Sequence, residues 1–367
     1  MTKVKKLLLY KEYEIVYKYN ALMLINFIKC TTYLSFMKKI SVGIIGKGII
    51  GSEVYHRANS RGWNVNWVAD SKGIFSDLSG NKKLAGLEDY ASYIDGLDAI
   101  FLAIPTLDTG ETALRYINVN LNAGVPVVTC EKGALSNYFS ELEEAVKNQS
   151  IGYSATVGGG SRLLRYLQER MGPQVQEVHA VINGTLNYIF DGLSNGRSLG
   201  EVVEETKKLG YAEPGAKHPL EVINKEATID VPMKASILFN VCDLTEERMK
   251  ARDVSVEMIE LNQLNRLIRE ATNRRYIVSI TRDKNNEEDV IWGFKHKVGD
   301  WYISAGFKHI EDNPLFRELI PSGVNNAILT SEGAFGKDGS YVLMGPGAGP
   351  SPTVLSMIID AEQIMYF

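Results

Sequence analysis

Cysteine is scarce in this chain: Cys30, Cys130 and Cys242 are all that its 367 residues hold. Three widely spaced thiols make neither a disulfide framework nor a cysteine-based metal cluster, and they suit a reducing cytoplasm. Long apolar runs are lacking too. Residues 21–28 are apolar apart from Asn26, and Lys29 stops them well short of a membrane span. The Cys30-Thr31-Thr32-Tyr33 stretch that follows offers no convincing leader-cleavage site. Nor is there a basic stripe. The net charge is −4, and the eight lysines of residues 1–39 face only Glu12 and Glu14, so the rest of the chain is acidic in balance. That argues against a nucleic-acid partner. No internal repeat or low-complexity tract occurs. What is present is an ordinary soluble composition, 45% hydrophobic and 23% charged, long enough for two domains with buried cores.

Residues 1–36 read differently from the rest and are expected to be a dispensable extension, a docking or targeting role being the alternative. Met37-Lys38-Lys39 leads directly into the first apolar run. From there to about residue 150, short apolar runs at 41–45, 65–69, 99–104 and 125–129 alternate with amphipathic stretches. Such runs predict buried parallel strands, and the alternation predicts a doubly wound sheet. Ile50, Val54 and Ala58 repeat at helical spacing, and residues 113–121 predict a second helix. After residue 151 the pattern changes. Ser198 and Glu201 form a capping box for a helix that Gly210 should stop, and runs at 276–280, 290–298 and 301–307 predict antiparallel strands. Residues 345–349 predict a glycine loop, followed by an apolar helix.

The sharpest local signal is Gly46-Lys47-Gly48-Ile49-Ile50-Gly51, set between a strand and a helix. Gly46 permits the tight turn, Gly48 lets the backbone approach a pyrophosphate, and Gly51 lets the helix pack on the strand. The helix N-terminus then faces the anion. A ligand-free β–α turn is the plainer alternative. Asp70 follows about twenty residues later at the end of the second strand, where a carboxylate can bind the ribose hydroxyls of NAD. Ser71 and Lys72 could instead receive a 2′-phosphate, so the cofactor reads as NAD(P). Thr106, after the fourth strand, would lie on the nicotinamide side unless it is only a strand-end turn.

Reducing an aldehyde by hydride transfer needs a proton or a positive charge at the nascent alkoxide, and lysine supplies either. Lys132 follows the 125–129 strand at the carboxyl edge of the sheet, where ligands bind. Lys234 stands four residues after Asp230, so on a helix the two share a face and can form a polar couple. Pro232 between them is tolerable only in a first helical turn, which makes an N-cap the plainer reading of Asp230.

Taken in order, the glycine turn, Lys132, Asn183-Gly184-Thr185-Leu186-Asn187-Tyr188-Ile189, Gly210-Tyr211-Ala212-Glu213-Pro214, Asp230 with Lys234, and Gly345-Pro346-Gly347-Ala348-Gly349 resemble the homoserine dehydrogenases. The resemblance runs from about residue 39 to residue 364. It implies NAD(P)-dependent interconversion of L-homoserine and L-aspartate 4-semialdehyde, on the route to threonine and methionine. It also implies Lys234 as proton donor and acceptor, Lys132 beside nicotinamide and substrate, Glu213 on the substrate ammonium, Thr185 lining the pocket, and Gly347 near the cofactor. The loop around residues 154–161 is similar to one that binds a monovalent cation, sodium or potassium, through carbonyls here matched by Val157, Gly159 and Ser161. Where that loop has a glutamate, this chain has Ser154. Two further departures stand out: Glu131 replaces a usual asparagine, and the stretch between Glu213 and Asp230 is longer and less acidic, with only Glu221 and Glu226 left in it.

The expected fold is α/β, an N-terminal Rossmann-type doubly wound domain (37–150) followed by an α+β substrate and dimerisation domain with a mixed or antiparallel sheet (151–344). Residues 345–367 should return to the cofactor domain as a loop and helix. A monofunctional enzyme without an ACT domain, a homodimer joined through its sheets, and a cytoplasmic location are implied, with no membrane or nucleic-acid partner. Another NAD(P)-dependent amino-acid dehydrogenase and a catalytically silent nucleotide-binding protein are the rival readings.

Overall fold

A computed structural model describes residues 39–107, 109–211, 218–282, 290–333 and 336–366. The expectation for the extension 1–36 therefore lies outside the described residues, and so does Glu213. Residues 41–367 make one compact unit built on two sheets.

The first sheet comprises β1 (Ser41–Ile45), β2 (Asn64–Asp70), β3 (Gly73–Phe75), β4 (Lys83–Ala85), β5 (Ala99–Leu102), β6 (Val127–Thr129) and β7 (Ile151–Gly152). Their order is β4-β3-β2-β1-β5-β6-β7. The five strands from β2 to β7 are parallel, while β3 and β4 extend one edge as antiparallel additions. The parallel strands are short because both faces are covered: all of β5 and β6 is buried, as a sheet with helices on each side requires. From β1 the chain crosses to β2 on one side, and from β5 to β6 on the other. Right-handed crossovers therefore put helix Ile49–Ser60 and helix Glu111–Asn122 on opposite faces. The switch point falls between β1 and β5, the place at the carboxyl edge where a doubly wound sheet binds its ligand.

The second sheet comprises β8 (Val175–Val181), β9 (Arg274–Thr281), β10 (Ile291–Val298), β11 (Trp301–His309), β12 (Asn325–Glu332) and β13 (Gly339–Pro346), in the order β10-β11-β9-β8-β12-β13. Every pairing in it is antiparallel. The capping box is present: Ser198 accepts from Glu201 N–H, and Glu201 returns to Ser198 N–H. Gly210 ends that helix with φ +70°.

Two local expectations need correction. Gly345 and Pro346 are not loop residues, because they finish β13 by pairing with Asn326 and Asn325. Pro346 is tolerated there because β13 is an edge strand, where no ladder donor is required of it. The loop proper is only 347–349, and helix Pro350–Tyr366 follows. It lies against helix Ile49–Ser60 and over β5 to β7, burying Val354, Met357 and Ile358. Burial of each such side chain is worth about 1.5–3 kcal/mol. Ion pairing adds at the rim, where Arg61 meets Glu362 at 2.8 Å.

The second correction concerns Asp230, for Pro232 does stand in the first turn of helix Val231–Val241. Helix Pro219–Lys225 passes without interruption through a wide π turn, Glu226–Asp230, into helix Val231–Val241. The Val231 N–H reaches back five residues to the Glu226 carbonyl. A wide turn ahead of the proline makes room for a ring that would otherwise strike the preceding turn. Asp230 has helical backbone (φ −69°, ψ −44°) and no capping hydrogen bond. It is not an N-cap.

Candidate active site

The glycine turn sits at the carboxyl end of β1 with each glycine constrained differently. Gly46 has φ +108°, and a Cβ there would lie 2.2 Å from the Ala103 carbonyl. A Cβ on Gly51 would fall 1.8 Å from the Gly46 carbonyl, so helix and strand touch at that point. Around Gly48 nothing lies within 4 Å of such an atom, and Ile49 is 74% exposed. Two glycines close the turn and the third opens it. The first-turn amides of helix Ile49–Ser60, which have no intrahelical acceptor, face that opening and fit a dinucleotide pyrophosphate. Asp70 ends β2 beside it. One of its oxygens accepts the Lys72 N–H at 2.8 Å and the other pairs with Lys47 at 3.3 Å, and Lys47 also lies over the Phe75 ring.

The carboxyl end of β6 carries Lys132. Glu131, just before it, is almost fully buried and accepts the Gly133 and Ala134 N–H groups at 2.5 and 3.0 Å. It thereby caps helix Gly133–Lys147, which is the structural reason a carboxylate serves here. Burial pushes its pKa up, against the pull of those two amides. The Lys132 N–H donates to the Thr106 hydroxyl at 3.4 Å, bringing the ends of β5 and β6 together.

Lys132 Nζ lies 2.6 Å from Asp230 Oδ1, and Lys234 Nζ lies 2.6 Å from Asp230 Oδ2. One carboxylate thus holds both lysines, from residues 98 apart in sequence on one side and one helical turn away on the other. Burial would raise the Asp230 pKa, but the two ammonium groups overcome it and hold the carboxyl well below the usual range. Asn183 completes the arrangement. Its Nδ2 donates to Asp230 Oδ2 and Glu226 Oε2, each at 2.8 Å, while its Oδ1 accepts the Leu186 N–H at 2.7 Å.

The structure therefore unites Lys132, Asp230 and Lys234, as the sequence suggested, and adds Asn183 and Glu226. The signal for Glu226 was available: it precedes Asp230 by four residues, as Asp230 precedes Lys234. Thr185 is buried, and its hydroxyl donates to the Tyr211 carbonyl at 2.6 Å. It ties helix Gly184–Ser194 to the turn that leads to Glu213. Gly347 approaches the second sheet, with its N–H donating to the Val324 carbonyl at 3.1 Å. In the 154–161 loop, Gly158 and Gly159 are left-handed (φ +81° and +52°). The Gly159 carbonyl accepts the Ser356 hydroxyl at 2.8 Å. Both the N–H and the hydroxyl of Ser154 donate to buried Asp360 at 2.7 Å, and Arg165 pairs with the same carboxylate at 3.2 Å. Among the described residues no group of three His, Cys, Asp or Glu side chains could hold a metal, and no helix is long and apolar enough to cross a membrane.

A dinucleotide turn at a switch point, with a lysine–aspartate–lysine cluster drawn from the end of β6 and from the later Glu226–Val241 helical segment, defines an NAD(P)-dependent oxidoreductase. The homoserine dehydrogenase family model matches residues 163–361, and this chain belongs to the homoserine dehydrogenase family. A homoserine dehydrogenase from Pyrococcus horikoshii is 24% identical over 351 residues, 88% of this chain and 96% of that one. An NAD(+)-dependent homoserine dehydrogenase from Pseudomonas canavaninivorans is 26% identical over 304 residues, 80% and 78% of the two chains. The solved homoserine dehydrogenase of Thermoplasma acidophilum shares the fold with a TM-score of 0.68, at 19% identity over 90% of this chain and all of that one. The activity is the NAD(P)-dependent interconversion of L-homoserine and L-aspartate 4-semialdehyde. The readings as a different amino-acid dehydrogenase or a silent nucleotide binder are not favoured.

Proposed function

We propose that Lys234 handles the proton at the substrate oxygen, with Lys132 holding positive charge beside that oxygen and Asp230 fixing both lysines. The observation that carries this reading is the pair of 2.6 Å contacts on the two oxygens of Asp230. NAD(P), when bound at the glycine turn formed by Gly46, Lys47, Gly48, Ile49, Ile50 and Gly51, supplies the hydride acceptor or donor. In the reducing direction the Lys234 ammonium gives a proton to the aldehyde oxygen as that oxygen gains negative charge. In the oxidising direction its amine takes the hydroxyl proton. Glu213 binds the substrate ammonium, and Thr185 shapes the pocket wall by anchoring Tyr211. A coupled assay with L-homoserine and each of NAD+ and NADP+ tests the whole reading, and absence of homoserine-dependent reduction of either would refute it.

Both cofactors are accommodated because the ribose faces mixed charge: Asp70 offers a carboxylate to hydroxyls, while Lys47, Ser71 and Lys72 offer donors to a phosphate. Asp70→Ser should lower kcat/KM with NAD+ relative to NADP+ by about tenfold or more, since a hydrogen bond to a charged group is worth about 1.5–3 kcal/mol. An unchanged ratio would take Asp70 out of ribose recognition.

The domain reading is 37–150 for cofactor, 151–344 for substrate and subunit pairing, and 345–367 as a segment returning to the cofactor sheet, with Thr106 and Gly347 facing the nicotinamide. A homodimer joined through the second sheet draws support from edge strand β13, where Val342 and Met344 are exposed, because pairing removes a bare edge. Light scattering should give twice the chain mass, and a fully active monomer would refute the dimer. A sodium or potassium ion on the Val157, Gly159 and Ser161 carbonyls rests on the loop's glycine pattern alone. The Gly159 carbonyl already accepts the Ser356 hydroxyl, and the Asp360 carboxylate bound to Ser154 already pairs with Arg165. A cytoplasmic location accords with the free thiols of Cys130 and Cys242.

A further inference from the structure

We propose that Glu131 selects the oxidation state of the cofactor: its buried carboxylate favours the oxidised nicotinamide ring, a cation, over the reduced ring, which is neutral. This rests on the NAD(P)-dependent reading of the same site.

Glu131 opens the turn after β6, where its N–H donates to the Thr129 hydroxyl at 2.9 Å. It is 1% exposed. One oxygen accepts the Gly133 N–H at 2.5 Å, the other accepts the Ala134 N–H at 3.0 Å, and the Thr106 hydroxyl donates to the same carboxylate. A Cβ on Gly133 would lie 2.8 Å from Oε1, so the glycine makes room for the carboxylate. A group that only accepts, and only from neutral donors, is held in its ionised form.

What it lacks is a cation. Among the described residues Glu131 makes no ion pair, because neighbouring Lys132 gives its ammonium to Asp230 at 2.6 Å. Asp230 and Asp360, also buried, each meet a positive side chain. The partial positive charge at the start of helix Gly133–Lys147 offsets only about half of a unit charge. A buried carboxylate without a full countercharge is costly, and a positive group brought near it lowers that cost.

The fold sets where such a group arrives. In a doubly wound sheet the dinucleotide lies across the carboxyl edge, one mononucleotide to each half. The glycine turn and Asp70 belong to the β1–β2 half and suit the adenosine end. That leaves the ends of β5 and β6 to the nicotinamide, and Thr106 and Glu131 follow those two strands. Reduction of the aldehyde moves a hydride from the reduced ring to the carbonyl carbon and a proton from Lys234 to the carbonyl oxygen. The ring is left with one positive charge. Glu131 stabilises that charge and has no matching effect on the neutral ring, so it makes the bound reduced cofactor a better hydride donor.

The test is calorimetric titration of the full chain with NAD+, NADH, NADP+ and NADPH, in alkaline buffer because burial raises the Glu131 pKa. The wild type is compared with Glu131→Gln, Glu131→Asn and Glu131→Asp. Loss of the helix cap should weaken oxidised and reduced forms alike, so it cancels in their ratio. In the two neutral variants the Kd of the oxidised form should rise about 5- to 10-fold more than that of the reduced form, the scale of one half-compensated charge several ångströms away. Glu131→Asp keeps the charge and should keep the wild-type ratio. If one neutral variant fails to fold, the other decides. An unchanged ratio on loss of the charge, or an equal shift in Glu131→Asp, would leave Glu131 as a helix cap alone. A wild-type chain that binds none of the four nucleotides would defeat the cofactor reading instead, and that result needs no variant.

Discussion

Replacing Lys234 by alanine should cut turnover by about 10²–10⁴-fold, the usual worth of a general acid–base group, with little change in the Michaelis constant for the cofactor. Lys234 stands on helix Val231–Val241, while the glycine turn belongs to β1 and the helix after it. Removing its ammonium leaves the pyrophosphate cradle untouched. Asp230 also keeps one counter-ion, Lys132 at 2.6 Å, so the fold should survive and the loss should appear in kcat. Lys132→Ala should be damaging in a different way, since it removes the second positive charge while its backbone N–H still joins the ends of β5 and β6. A Lys234→Ala variant with wild-type turnover would remove that residue from the mechanism.

Asp230→Ala should cost stability as well as activity. Its carboxylate lies between two ammonium groups with little access to water, and Asn183 donates to it as well. Deleting one member of a buried ion cluster typically costs about 3–5 kcal/mol, because the partners are left buried and uncompensated. Here the partners are like charges that would face each other. The urea midpoint should fall sharply, and turnover should drop with it. Asp230→Asn keeps the shape and some hydrogen bonds, so it should recover part of the stability and little of the activity. Unchanged denaturation midpoints for both variants would mean that water already screens the cluster.

The halves of the chain differed in how much could be read from residues alone. The parallel strands of the first sheet are short, apolar and bounded by turns, so β1, β2, β5 and β6 fall where the apolar runs lie, to within a few residues. The Asp230–Lys234 pair was legible because four residues make one helical turn. The strands β8, β12 and β13 were not. Val175–Val181 carries Gln176, Glu177 and His179, and β13 alternates half-buried with exposed positions, so neither reads as an apolar run. Their pairing comes from partners far away in sequence. The π turn was hidden for a similar reason: nothing in Glu226-Ala227-Thr228-Ile229-Asp230 marks it except the proline two residues on. The contact of Ser154 with Asp360 spans 206 residues and has no local trace at all.

That last long-range pairing has a consequence for how the protein is made. The face of the first sheet that holds helix Ile49–Ser60 is completed by helix Pro350–Tyr366. Domains usually fold in order as they leave the ribosome, but this sheet cannot finish until residue 366 has emerged. During synthesis its apolar face over β5 to β7 stays bare, so the nascent chain should need chaperone protection longest at its oldest part. Stalled chains ending before Pro350 should be cut by protease within the 41–150 region, and chains carried past Tyr366 should resist.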